Sequence, residues 1–122
     1  MEYTLKINGR TYPARFTVRV SINAAERRGG SLSKLFRNEN QAEFFGDMVW
    51  LAVELIKAGA ALKKAETGEE TANIPTVDEL LDTVDHADLL ELQAQMLAVI
   101  NKDKPTVKAE GTGKNTDATP GT

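Results

Sequence analysis

Residues 41–65 read QAEFFGDMVWLAVELIKAGAALKKA, and this stretch decides the fold. Its apolar side chains recur at three- and four-residue spacing, which is the period of one helix face. The stripe comprises Phe44, Phe45, Met48, Val49, Ala52, Val53, Leu55 and Ile56. Because Trp50 and Leu51 widen the stripe, we predict a central helix from about Gln41 to Ala65 that is covered on more than one side. Gly59 should weaken its last turns.

Upstream of this helix, the sequence predicts a β-hairpin. Residues 3–7 alternate apolar with polar side chains, and Asn8-Gly9 supplies the two positive-φ positions of a type I′ turn. The turn fixes the register, which pairs Ile7 with Arg10, Leu5 with Tyr12 and Tyr3 with Ala14. The alternation continues to Val20, so we expect extended chain that far. Because Pro13 has no N–H to donate, the second strand either lies at an edge there or starts again after it.

Short helices are predicted on both sides of the central one. A helix should begin at Ser21 or Asn23 and end at Gly29-Gly30, and residues 31–36 should add a turn or two. Beyond a polar loop at 66–73, two further helix starts follow from local capping patterns, a capping box of Thr76 with Glu79 and a cap at Asp85 with Asp88 three positions later. The interpretation is an α+β fold, an N-terminal β-hairpin followed by three to five helices.

The domain should span residues 1–102. From residue 103 onward, Gly and Pro stand among Lys, Thr, Asn and Glu, so residues 103–122 are predicted to be a flexible polar tail.

Composition leaves little material for catalysis. The 122 residues contain no cysteine and one histidine, His86, so thiolate catalysis, disulfides and a multi-histidine metal site within one chain are ruled out. No apolar run approaches the roughly 20 residues that span a bilayer, and the N-terminus lacks a signal-peptide pattern. We therefore expect a cytoplasmic protein with no cofactor, no metal and no enzymatic activity.

Charge is distributed unevenly along the chain. Residues 1–40 carry a net charge of +5 and residues 41–122 a net charge of −8. This polarity indicates an anionic partner for the front of the chain or head-to-tail self-association.

Three groups of residues are candidates for partner binding or self-association. The first is basic and would contact phosphates or stay a solvated face: Arg15, Arg19, Arg27 and Arg28. The second is apolar and forms either a partner groove or plain core: Phe44, Phe45, Met48 and Trp50. The third belongs to an acidic series in 78–91 that favours helix starts and faces water or a basic partner: Asp78 and Asp82.

The order of these features resembles the small tail assembly chaperones of long-tailed, siphovirus-type bacteriophages and prophages of Gram-positive hosts. The likeness covers nearly the whole chain. It is carried by Tyr3-Thr4-Leu5-Lys6-Ile7-Asn8-Gly9-Arg10-Thr11-Tyr12, by Phe45-Gly46-Asp47-Met48-Val49-Trp50-Leu51-Ala52 with Ala58-Gly59-Ala60, by Pro75-Thr76-Val77-Asp78-Glu79-Leu80-Leu81-Asp82, and by the tail Lys114-Asn115-Thr116-Asp117-Ala118-Thr119-Pro120.

The resemblance implies a non-enzymatic function. Such proteins bind the tape measure protein, keep it soluble, promote assembly of the tail tube around it and are left out of the mature virion. A frameshifted extension in a minority of the product would recruit the tail tube protein. Self-association into rings or spirals fits the charge polarity. The alternatives are a small nucleic-acid-binding regulator that uses the basic hairpin, and a structural neck or tail component.

Overall fold

Five helices follow an N-terminal hairpin in the computed structural model, which describes residues 3–29 and 31–102. The strands are β1 (Thr4–Ile7) and β2 (Arg10–Pro13). The helices are α1 (Val18–Arg27), α2 (Leu32–Phe36), α3 (Gln41–Thr67), α4 (Val77–Thr83) and α5 (His86–Ile100). The predicted fold class is confirmed, and the predicted tail at 103–122 lies outside the described residues.

The hairpin has the predicted turn and register. Asn8 and Gly9 adopt φ values of 52° and 82°, as a type I′ turn requires. Strand pairing places Ile7 opposite Arg10 and Leu5 opposite Tyr12. Leu5, Ile7 and Tyr12 are buried, so one face of this two-stranded sheet enters the core.

A side-chain amide satisfies the free edge of β1. Lys6 N donates to Gln95 Oε1 at 2.7 Å, and Gln95 Nε2 donates to Lys6 O at 3.1 Å. These two hydrogen bonds replace those of a third strand. They also attach α5 to the hairpin.

Helix α1 begins earlier than predicted. The Thr17 hydroxyl caps it by accepting a hydrogen bond from Val20 N, so residues 18–20 are helical and neither Ser21 nor Asn23 is the cap. The extended chain predicted as far as Val20 is therefore wrong. Val20 and Ala24, four residues apart, are both buried. A four-residue spacing is typical of one helix face, so Val20 fits this helix as well as it fits the two-residue alternation of a strand.

Helix α3 is the centre of the fold, as predicted. The side chain of Asn40 caps its start, and Gly68, at φ 80°, ends it two residues beyond the predicted boundary. Its buried residues cover about two-thirds of the helix circumference: Asp47, Met48, Val49, Leu51, Ala52, Val53, Leu55, Ile56, Gly59 and Ala60. The hairpin and the other four helices all contact α3.

Gly59 is the point where the end of the hairpin crosses α3. A Cβ built on Gly59 would lie 2.5 Å from both Ala14 N and Pro13 C. Beside this crossing, Arg15 N donates to Leu55 O at 3.0 Å, so backbone bonds directly to backbone. The two backbones therefore approach so closely at Gly59 that no side chain fits between them.

The last two helices start as the sequence predicts. Thr76 and Glu79 form a complete capping box at α4, and the Asp85 carboxylate accepts from Asp88 N at α5. Both helices bury one apolar face, and the buried residues are Leu80, Leu89, Leu92, Met96, Val99 and Ile100.

The Gly59 crossing predicts opposite effects for two glycine substitutions in one helix. We expect Gly59→Ala to lower the free energy of unfolding by about 3 kcal/mol, because its methyl group would overlap backbone atoms. Gly46 has no atom near the equivalent position. Gly46→Ala should raise that free energy by about 0.5–1 kcal/mol through helix propensity. Urea unfolding of both variants measures the difference, and similar values for the two would contradict the close approach.

Candidate functional site

Asp47 is the one charged side chain that the described residues bury completely, with 0% exposed. Two consecutive arginines of the α1 end reach it. Arg27 Nε donates to Asp47 Oδ1 at 2.7 Å, while Arg28 Nε donates to Oδ2 at 2.8 Å and Arg28 Nη2 to Oδ1 at 2.9 Å. Three charge-assisted hydrogen bonds thus hold one carboxylate.

These contacts keep Asp47 ionised. Burial opposes the charged form, but the hydrogen bonds from Arg28 and Arg27 and their positive charges outweigh it and hold the pKa of Asp47 below its ordinary value. The hydrogen bond to Asp47 in turn raises the pKa of the Arg28 guanidinium. The guanidinium of Arg27 also lies 4.5 Å from the centroid of the Trp50 ring. The cluster therefore joins the end of α1 to α3.

The four candidate arginines do not form one basic face. Arg27 and Arg28 are bound to Asp47, and the Arg15 guanidinium lies 5.0 Å from the centroid of the Tyr3 ring. Arg19 is exposed on α1, not on a strand beside Arg15. In the described part of the chain Arg19 has no side-chain hydrogen bond or ion pair.

The aromatic candidates lie at the border of the core. Met48 is fully buried, whereas Phe44, Phe45 and Trp50 are half-buried and pack against the core. The Phe45 ring also lies 5.1 Å from the ring of His86, measured between centroids. Met48 therefore has no surface for a partner in this fold.

The acidic candidates Asp78 and Asp82 are exposed on α4. Further along the same segment, the Asp85 carboxylate raises the pKa of the exposed Asp88 by like-charge repulsion, and a small loss of hydration adds to the effect. Within residues 3–29 and 31–102, no three His, Asp or Glu side chains gather as metal ligands would.

An apolar groove runs between α1 and α3. Its volume is about 470 Å³, and it is open to solvent. Val20, Ala58, Ala61 and Leu62 supply its apolar lining, and its charged side chains are Arg19, Lys57 and Glu54. The sequence pattern does not indicate this groove, because it predicts extended chain as far as Val20.

Among residues 3–29 and 31–102, four large apolar side chains are exposed, and the sequence pattern predicts none of them as a site. They are Val18 (76% exposed) and Ile22 (52%) on α1, Leu81 (49%) on α4 and Leu90 (70%) on α5. Val18 and Ile22 lie four residues apart and share one helix face. That spacing is visible in the sequence once α1 is known to begin at Val18.

Comparison with known proteins identifies no relative: no protein-family model, no curated protein and no solved structure matches this chain. In the part of the chain that the structure describes, no helix combines the length and the apolar character needed to cross a bilayer.

The buried carboxylate predicts a large loss of stability on neutralisation. We expect Asp47→Asn to lower the free energy of unfolding by about 2–3 kcal/mol, because Arg27 and Arg28 lose their counter-ion. The loss is limited because both arginine side chains are about one-third exposed and can be solvated by water. Glu43 is the matched control, because it lies 3.7 Å from Arg28 but is exposed. Glu43→Gln should change stability by less than about 1 kcal/mol. Equal losses in urea unfolding would refute the special role of Asp47.

The depressed pKa of Asp47 also predicts a pH dependence. A carboxyl whose folded pKa lies below its unfolded value stabilises the fold fully above the unfolded value, about 4, and loses this contribution as the pH falls through the folded pKa. The stability difference between the native chain and Asp47→Asn should therefore stay constant from pH 7 to pH 5 and shrink only below about pH 4. A difference that changes between pH 5 and pH 7 would contradict this assignment.

Proposed function

We propose that this chain is a non-enzymatic tail assembly chaperone of a siphovirus-type phage or prophage. It binds the long helical tape measure protein, keeps that protein soluble and promotes assembly of the tail tube around it. The resemblance of the sequence to such chaperones suggests the role. The apolar groove between α1 and α3 is the observation that supports it.

The groove fits an amphipathic helix. Ala58 and Ala61 on α3 are small, so a partner helix would approach the α3 backbone closely there, while Leu62 provides an apolar wall beside the buried Val20. Helix-in-groove binding uses this combination of a shallow apolar surface and polar ends. Arg19 at the groove favours acidic side chains on the partner, whereas the charge of Lys57 is offset by Glu54, which also lines the groove and pairs with Lys57 at 3.5 Å.

The other parts of the proposal follow the same resemblance. Several copies would associate along one client, and a frameshifted extension beyond the present chain would recruit the tail tube protein. The protein would act in the cytoplasm of the bacterial host and be absent from the mature virion.

The nucleic-acid-binding alternative has less support than the chaperone. Arg27 and Arg28 neutralise Asp47, and Arg15 lies over Tyr3, so only Arg19 of the four candidate arginines faces solvent without a partner among the described residues. Phosphate binding gains affinity from several free cations acting together. A single free arginine gives little of that gain.

Co-expression with the long helical protein encoded just downstream tests the proposed function. We expect that client to be insoluble alone and soluble in complex with several copies of this chain, as measured by the soluble fraction and by pull-down. A client that stays insoluble, or that is soluble without this chain, would refute the chaperone function.

The groove can be tested by two substitutions in the same helix. Ala61 lines the groove, whereas Ala65, one turn later, is exposed outside it. We expect Ala61→Glu to reduce client capture at least tenfold, because it puts a charge where an apolar helix face would lie. Ala65→Glu adds the same charge and should leave capture within twofold of the native level. Equal capture by both variants would exclude the groove as the client site.

A further inference from the structure

We propose that the hairpin turn is a site of spontaneous deamidation at Asn8, and that the hydroxyl group of Thr83 sets its rate. This modification concerns the chemistry of the chain itself, so it goes beyond the proposed function and is tested without a client. Two adjoining residues of the turn carry the inference, together with one side-chain hydrogen bond from the turn to α4.

The turn combines an amide with an unhindered neighbour. Asn8-Gly9 is the only Asn-Gly pair among the 122 residues. In deamidation the backbone nitrogen of the following residue attacks the carboxamide carbon of the asparagine, and a side chain on that residue hinders the approach. Gly9 has no side chain, and both residues are exposed. A Cβ placed on Gly9 would meet no atom within 4 Å, so no neighbouring group shields the turn there.

The attacking nitrogen has no hydrogen bond in the described part of the chain. Ile7 and Arg10 form the strand pair that closes the turn. The hydrogen bonds of a two-residue hairpin therefore use the backbone groups of Ile7 and Arg10 and leave Gly9 N–H outside the ladder. Within residues 3–29 and 31–102, no other group accepts a hydrogen bond from Gly9 N. The nitrogen is thus available for reaction.

Deamidation at this turn replaces the amide by an acid in two steps. Gly9 N loses its proton and forms a bond to Asn8 Cγ, the bond from Cγ to Nδ2 breaks, and Nδ2 leaves as ammonia. Water then hydrolyses the cyclic imide at either carbonyl, which yields aspartate or isoaspartate at position 8. The net reaction consumes one water molecule and releases one ammonia molecule, with no change of oxidation state.

One contact holds the amide back from this reaction. Asn8 Nδ2 donates to Thr83 Oγ1 at 3.0 Å, and Thr83 Oγ1 itself donates to Glu79 O at 2.8 Å. A hydroxyl group has one hydrogen, so that of Thr83 is a donor to the carbonyl and an acceptor for the amide. Because a fixed side chain samples few orientations, the approach of Asn8 Cγ to Gly9 N is rarer while this bond is in place.

The product no longer fits this contact. A carboxylate has no hydrogen to donate, so an aspartate at position 8 faces the acceptor side of the Thr83 hydroxyl group unless that group gives up its bond to Glu79 O. Isoaspartate adds a methylene group to the backbone of a turn whose length sets the register of β1 and β2. Deamidation therefore loosens the hairpin turn from α4, and isoaspartate also disturbs the strand pairing.

The rate of deamidation in variants of Thr83 tests the proposal. Peptide mass spectrometry after incubation of the folded chain at a constant, mildly alkaline pH measures the conversion of each asparagine. We expect conversion at Asn8 in the native chain. Thr83→Val should accelerate it about threefold or more, because the acceptor is lost while the side chain stays branched. Thr83→Ser keeps the hydroxyl group and should stay within about twofold of the native rate.

Thr67→Val is the matched control. Thr67 ends α3 as Thr83 ends α4, and its hydroxyl group donates to Lys63 O at 2.8 Å, so both valine variants lose the same kind of bond at a helix end. Because Thr67 makes no hydrogen bond to Asn8, Thr67→Val should deamidate at the native rate. General destabilisation would instead accelerate both valine variants.

Asn73 is an internal control in every sample. Its backbone is also left-handed, with φ 59° against 52° for Asn8, but the branched side chain of Ile74 follows it and should make its conversion much slower. A folded chain that keeps the amide of Asn8, under conditions where the same chain unfolded in urea loses it, would overturn the modification site. Equal rates in the native chain and in Thr83→Val would overturn the control by Thr83.

Discussion

The close approach of two backbones at Gly59 is the constraint on which the arrangement of the hairpin depends. There the chain after β2 lies directly against α3, and Arg15 N bonds to a helix carbonyl, that of Leu55. No side chain separates the two segments, so the position of the sheet over the central helix is fixed by backbone geometry. This crossing also positions the edge of β1 and the start of α1. The edge of β1 is placed where Gln95 of α5 satisfies it, and the chain leaves the crossing towards the Thr17 cap of α1.

The buried Asp47 fixes α1 in a different way. Taking a carboxylate out of water costs free energy, and an apolar residue of similar size would often be as stable there. Two arginines from the end of α1 bind both carboxylate oxygens, and this geometry is satisfied in one position of α1 along α3. An apolar contact in place of this ion cluster would tolerate a shift of α1 by one helical turn along α3. The ion cluster therefore contributes register more than net stability, and it removes two arginines from the surface that their sequence position had suggested.

Features fixed by neighbouring residues are predictable from the sequence, and features fixed by distant ones are not. The hairpin register follows from Asn8-Gly9 and the start of α4 from the capping box at Thr76, because each involves a few consecutive residues. The sequence does not reveal the start of α1, because Val20 satisfies both a two-residue and a four-residue period. The roles of Asp47 and Gly59 depend on partners some 20 and 45 residues away. No local pattern reveals such contacts. The surroundings of the candidate site residues are therefore the part of the structure that the sequence predicts least well.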